Sequence, residues 1–251
     1  MHTLPTLTST YLRTFKLYAI SFKDVLPFIL LLMICKYFIN KFIPAENTVN
    51  TIFFARLMLD IALTALFFSF IMDAVYQKYY QGKTSPWQIS LRGIKRFVQV
   101  FCAYLFISLP ILITLGIVEL ANRFWMPVVI TPDVAEKHLW ISLSLIAVAL
   151  FINLMLFVFS FAAGLFIVIE QENFIKGLLH SWKVVHPVWV DTLLLIILFG
   201  IINFSLTILL DTFHIPYAYL ITTMLLTSLY PALMVIHVGE IEKLPTKQLA
   251  T

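Results

Sequence analysis

Apolar residues fall along this chain in six blocks, at 25–42, 51–76, 100–120, 139–169, 190–210 and 217–238, with short mixed stretches between them. Each block is long enough to carry an α-helix through roughly 30 Å of hydrocarbon. Between the blocks the pattern becomes amphipathic. Residues 170–189, EQENFIKGLLHSWKVVHPVW, set Ile175, Leu178, Leu179, Trp182, Val185 and Trp189 on one helical stripe and Lys176, His180 and Lys183 on another. A helix of that kind lies in the membrane surface, its Trp rings at headgroup level and its cations towards anionic lipid. Weaker versions occur earlier. Residues 9–24 oppose Leu12, Phe15, Tyr18, Ala19 and Phe22 to Arg13, Lys16 and Lys23, and 85–99 oppose Leu91, Ile94 and Val98 to Arg92, Lys95 and Arg96. Ser85-Pro86-Trp87-Gln88 reads as a helix start, with Ser as cap, Pro in the first turn and Gln closing a capping box. Thr131-Pro132-Asp133 reads as another.

The expected fold is therefore all-α: one integral membrane domain over 1–251, with six transmembrane helices and in-plane amphipathic helices on one side. Pro110 and Pro231 predict kinks in the third and sixth spans. Trp87, Trp182 and Trp189 are the expected interfacial anchors.

Composition narrows the class. The chain is 61% hydrophobic and 12% charged, whereas soluble domains carry about 25% charged residues. Its net charge of +4 does not imply nucleic acid, because the cations stand beside apolar runs, where topology and lipid account for them. Twelve Lys and Arg fall in the N-terminal stretch, the 77–97 and 171–187 connections and the tail, against four (Lys36, Lys41, Arg123, Lys137) on the opposite side. The positive-inside rule then places both termini in the cytoplasm. The first 24 residues are polar and basic, so the first span is expected to serve as an uncleaved signal. Cys35 and Cys102 fall near opposite ends of their spans, too far apart for a disulfide.

Three segments share a layout of basic amphipathic helix, span, short loop, span: 9–76, 85–169 and 172–239. Their starts read Leu12-Arg13-Thr14, Leu91-Arg92-Gly93 and Ile175-Lys176-Gly177. A threefold internal repeat and a coincidence of topology both remain open from so short a match.

The order in which Glu170 ends a span, Ser181-Trp182-Lys183-Val184-Val185 follows, and Trp189 leads into the next span resembles the YciC-like bacterial inner-membrane proteins. It is similar also to the membrane domain fused to some glycerophosphodiester phosphodiesterases. Tyr80-Gln81-Gly82-Lys83 resembles the second cytoplasmic loop of that family. The resemblance implies a six-helix protein of the bacterial inner membrane and supplies no catalytic residues; no stretch between the spans could house the phosphodiesterase barrel.

Two groups of residues are candidates for function. Arg56 and Asp60 stand four apart on the second span, and Asn153 and Asn203 near the middles of the fourth and fifth. Charge inside a bilayer costs about 2.5–3.5 kcal/mol at the helix centre, so these four residues are a candidate intramembrane polar site. Arg56 and Asp60 read either as an ion pair that sets helix rotation or as an ion or proton site. The second group is a basic collar: Arg13, Lys16, Arg92, Lys95, Arg96, Lys176 and Lys183 as candidate contacts for anionic headgroups. Glu170, Glu172, His180 and His186 carry donor atoms, but the spacing of the histidines puts them on different helix faces and matches no zinc pattern. No metal, cofactor or catalytic residue is expected. The expected function is a non-catalytic membrane protein that binds or organises lipid or a membrane-protein partner; the alternative is a small-solute or lipid transporter built around Asp60.

Overall fold

A computed structural model describes residues 7–43, 51–82, 85–125, 132–213, 222, 226–227 and 229–241, with the side chains of 51 and 120–139 outside that description. The connections 44–50 and 126–131, most of 214–228 and the tail from 242 lie outside the described residues, as do the side chains of Arg123 and Lys137. Eight α-helices are described: α1 (Leu7–Phe42), α2 (Thr51–Gln81), α3 (Pro86–Trp125), α4 (Pro132–Phe159), α5 (Ala163–Val168), α6 (Phe174–Val185), α7 (Trp189–Thr212) and α8 (Leu229–Ile241), with a 3-10 turn at His186–Val188. No strand occurs among the described residues. Among the described residues, five helical segments are long and apolar enough to cross a membrane. The chain is an all-α polytopic membrane protein. α8 is the described part of the sixth block, and most of the rest of that block lies outside the described residues.

α2 is the central helix. It packs between α1 and α3, α3 packs on α4, and α8 closes against α1 and α2. The contact between α2 and α3 is close because Gly93 faces Phe70; a Cβ at Gly93 would overlap that ring.

Two expected boundaries move. The amphipathic stretches 9–24 and 85–99 do not form separate helices. α1 and α3 run unbroken for 36 and 40 residues, through Pro27 and Pro110. At 1.5 Å per residue they measure roughly 54 and 60 Å, about twice the hydrocarbon thickness. Their basic N-terminal turns are therefore extensions of the spans. Only the third amphipathic stretch, α6, is a helix of its own, because Pro187 enters the 3-10 turn before α7.

The second change is in the fourth block, expected as one helix over 139–169. α4 stops at Phe159, a turn at 160–162 follows, and the short buried α5 begins at Ala163. Ser181 of α6 supports the break: its hydroxyl donates to the Phe159 carbonyl (2.7 Å) and accepts from the Ala162 N–H (3.0 Å). A buried interruption of a helix needs such partners for its freed backbone groups.

Candidate functional site at the basic end

Polar burial concentrates at one end of the bundle, the end that carries the basic turns of α1, α3 and α6. Glu240 of α8 takes Thr10 Oγ1 on one oxygen (2.8 Å) and Arg13 on the other (3.3 Å), joining α8 to α1. Tyr11 donates to the Leu195 carbonyl of α7 (2.7 Å), and Thr192 of α7 bonds His237 Nε2 of α8 (2.9 Å). Asp73 of α2 is fully buried, with Arg92 Nη1 3.5 Å from Oδ1. Gln77, one turn on, accepts the Ser85 N–H at the entry to α3 (3.4 Å). The start of α6 is held the same way. Asn173 caps it by accepting the Lys176 N–H (2.8 Å), and Gln99 of α3 accepts the Phe174 N–H (2.9 Å).

The buried side of α6 is Gly177, Ser181 and Val185, a stripe of small side chains that lets the helix approach α5. The larger apolar residues Ile175, Leu179, Trp182 and Trp189 are exposed, as a surface helix facing lipid requires. The three segment starts share one pattern: Leu12, Leu91 and Ile175 exposed, the cation after each exposed, and Thr14, Gly93 and Gly177 buried. Trp87 is also exposed at the start of α3.

Around this end the collar cations divide. Arg13, Arg92 and Arg96 are engaged, Arg96 with Gln171 Oε1 (2.9 Å). Lys16, Lys95, Lys176 and Lys183 are exposed. Between α1, α2 and α8 lies a cavity of about 380 Å³, lined by Arg13, Lys16, Leu17, Ile20, Lys78, Tyr79 and Ile236. That is within the usual size range of ligand pockets, about 300–1,000 Å³. Asp24 holds Lys78 in place at 3.0 Å. Nothing in the sequence pattern marks Lys78 and Tyr79 as site residues; their place beside Arg13 depends on how α1 and α2 pack.

The intramembrane polar site expected from Arg56, Asp60, Asn153 and Asn203 is not assembled as expected. Asp60 pairs with Lys36 of α1 (3.2 Å) and its side chain is 47% exposed. Arg56 bonds the Ile43 carbonyl (3.0 Å) and the Asn40 side chain, also on the α1 side. The two charges of α2 are thus each tied to α1 rather than to one another. Asn203 is exposed, and the Asn153 Oδ1 is buried with no partner among the described residues. The carboxylate that α2 does bury is Asp73. Periodicity did not separate the two acids, because both lie on the same apolar helix. Cys35 and Cys102 are free thiols.

Comparison of the chain with protein-family models, with curated proteins and with solved structures returns no match.

Proposed function

We propose that this is a non-catalytic protein of the bacterial inner membrane that holds anionic phospholipid headgroups at its basic end and so organises lipid, or a membrane partner, at the cytoplasmic surface. The observation that carries this reading is the cavity between α1, α2 and α8: the exposed Lys16, with Arg13 bound to Glu240, Lys78 bound to Asp24, and Tyr79, stands beside an apolar wall of Leu17, Ile20 and Ile236. A phosphate with its acyl chains presents the complementary surface, and each cation near such a headgroup contributes about 1 kcal/mol. The twelve-to-four distribution of Lys and Arg supports a cytoplasmic location for this end. The resemblance to YciC-like inner-membrane proteins supports the same setting.

The test is purification in mild detergent followed by native mass spectrometry of bound lipid. Phosphatidylglycerol or cardiolipin is expected to be retained over phosphatidylcholine. Lys16→Gln with Lys78→Gln should weaken that retention by about fivefold, the equivalent of one cation at about 1 kcal/mol, because Asp24 already neutralises Lys78. Equal retention of zwitterionic lipid, or no change in the double variant, rejects the reading.

A further inference from the structure

At the junction of α5 and α6 the loop Glu170, Gln171, Glu172 folds back over His180. The His180 Nδ1 lies 3.4 Å from Glu170 Oε2 and 3.4 Å from Glu172 Oε1. One donor atom from each of the three residues falls within 4.8 Å of the others. The ring of His180 is fixed by stacking on the buried Phe166, centroids 3.9 Å apart and planes 8° from parallel. His186, which its spacing puts on a different helix face from His180, takes no part; it stacks against Phe159 instead.

A single N–H cannot serve two carboxylates well at that distance, since N–H···O bonds cluster near 2.9–3.0 Å. The two N···O separations fit the edge of a coordination tetrahedron, whose ligands about 2.0–2.1 Å from a zinc-like ion stand about 3.3–3.4 Å apart, and the two carboxylate oxygens lie within 4.8 Å of each other. A second observation points the same way. The Glu172 carboxylate, 24% exposed, faces His180 with Oε1, while its Oε2 is buried without a partner among the described residues, so this group has an oxygen left over for an ion.

We propose that Glu170, Glu172 and His180 form a binding site for one divalent first-row transition-metal ion. The imidazole nitrogen favours such an ion over Mg²⁺ or Ca²⁺, which take all-oxygen shells. Glu170 and His180 are partly exposed, so the fourth position opens to water. The ion staples the loop to α6 and so fixes the surface helix against α5. This site shares no residue with the lipid cavity and stands or falls without it.

The full-length protein in detergent, stripped with a chelator, is titrated with Zn²⁺ and separately with Mg²⁺ by calorimetry. One Zn²⁺ per chain is expected, undisturbed by excess Mg²⁺, and Co²⁺ in its place should give the intense visible bands of a tetrahedral site. Glu172→Gln and His180→Phe should each weaken Zn²⁺ binding at least about tenfold; His180→Phe keeps the stacking on Phe166, and Glu170→Gln, at a more exposed position, is the second probe should either variant misfold. His186→Gln should bind as the parent does. Absence of a 1:1 site, unchanged affinity in Glu172→Gln or His180→Phe, or equal loss in His186→Gln overturns the proposal.

Discussion

The two ends of this bundle are built differently. At the basic end Thr10, Thr14, Asp73, Gln77, Ser181, Thr192, His237 and Glu240 are all buried, and side-chain hydrogen bonds tie α1 to α7 and α8, and α6 to the break after α4. Large apolar side chains face outward at both ends, Leu12, Leu91 and Ile175 at the basic one, but towards the other end they dominate: Ile34, Phe38 and Phe42 on α1, Ile113 and Ile117 on α3, Trp140, Ile141 and Phe151 on α4, Ile201, Phe204 and Ile208 on α7. The difference follows from the solvent. Hydrocarbon is as apolar as those side chains, so apolar surface alone gives helices no preference for one another over lipid. Specific association needs close packing of small residues and polar groups that have no partner elsewhere, and among the described residues most of the buried polar side chains stand at the basic end.

That contrast can be attacked from both sides. Gly93→Val should have the largest effect. Its side chain has to displace Phe70 at the contact of α2 and α3, and overpacking of this kind costs about 3 kcal/mol; a lowered thermal midpoint in detergent, read by loss of monodisperse protein, checks it. Ser181→Ala comes next. It leaves the Ala162 N–H and the Phe159 carbonyl without their buried partner, at a cost of about 2 kcal/mol. Hydrogen exchange should then rise at 159–163 before it rises elsewhere. Phe204→Leu, at a 68% exposed position on α7, should change the midpoint by no more than about 0.5 kcal/mol. A larger loss there would mean that the apolar end is packed against something other than lipid.

Much of the architecture is legible from periodicity. The blocks mark the helices, and α3 and α4 begin at the expected Pro86 and Pro132. Of the apolar stripe expected on α6, Ile175, Leu179, Trp182 and Trp189 face outward, whereas Val185 is buried with Gly177 and Ser181 and Leu178 is half-buried. What the pattern could not show is where a helix carries straight on or breaks. The stretch 9–24 runs straight on into the first span, and Asp24, a residue able to cap a new helix there, pairs with Lys78 of α2 instead. The fourth block, apolar throughout, breaks at 160–162 because Ser181, some twenty residues later, accepts and donates the bonds the break needs. The candidate sites divide in the same way: the collar lysines follow from composition along a face, whereas the pairing of Asp60 with Lys36 and the burial of Asp73 do not.

From the sequence alone came the membrane class, the helices and the concentration of cations at one end, because hydropathy and helix formation are properties of neighbouring residues and each helix satisfies its own backbone. Only the tertiary structure decided which polar groups meet: Arg13 with Glu240, Lys78 beside Arg13, and Glu170 and Glu172 with His180. Those meetings depend on how each helix is rotated and on which distant segment lies against it, and a side chain that must find a partner in a dry interior finds it in space, not along the chain.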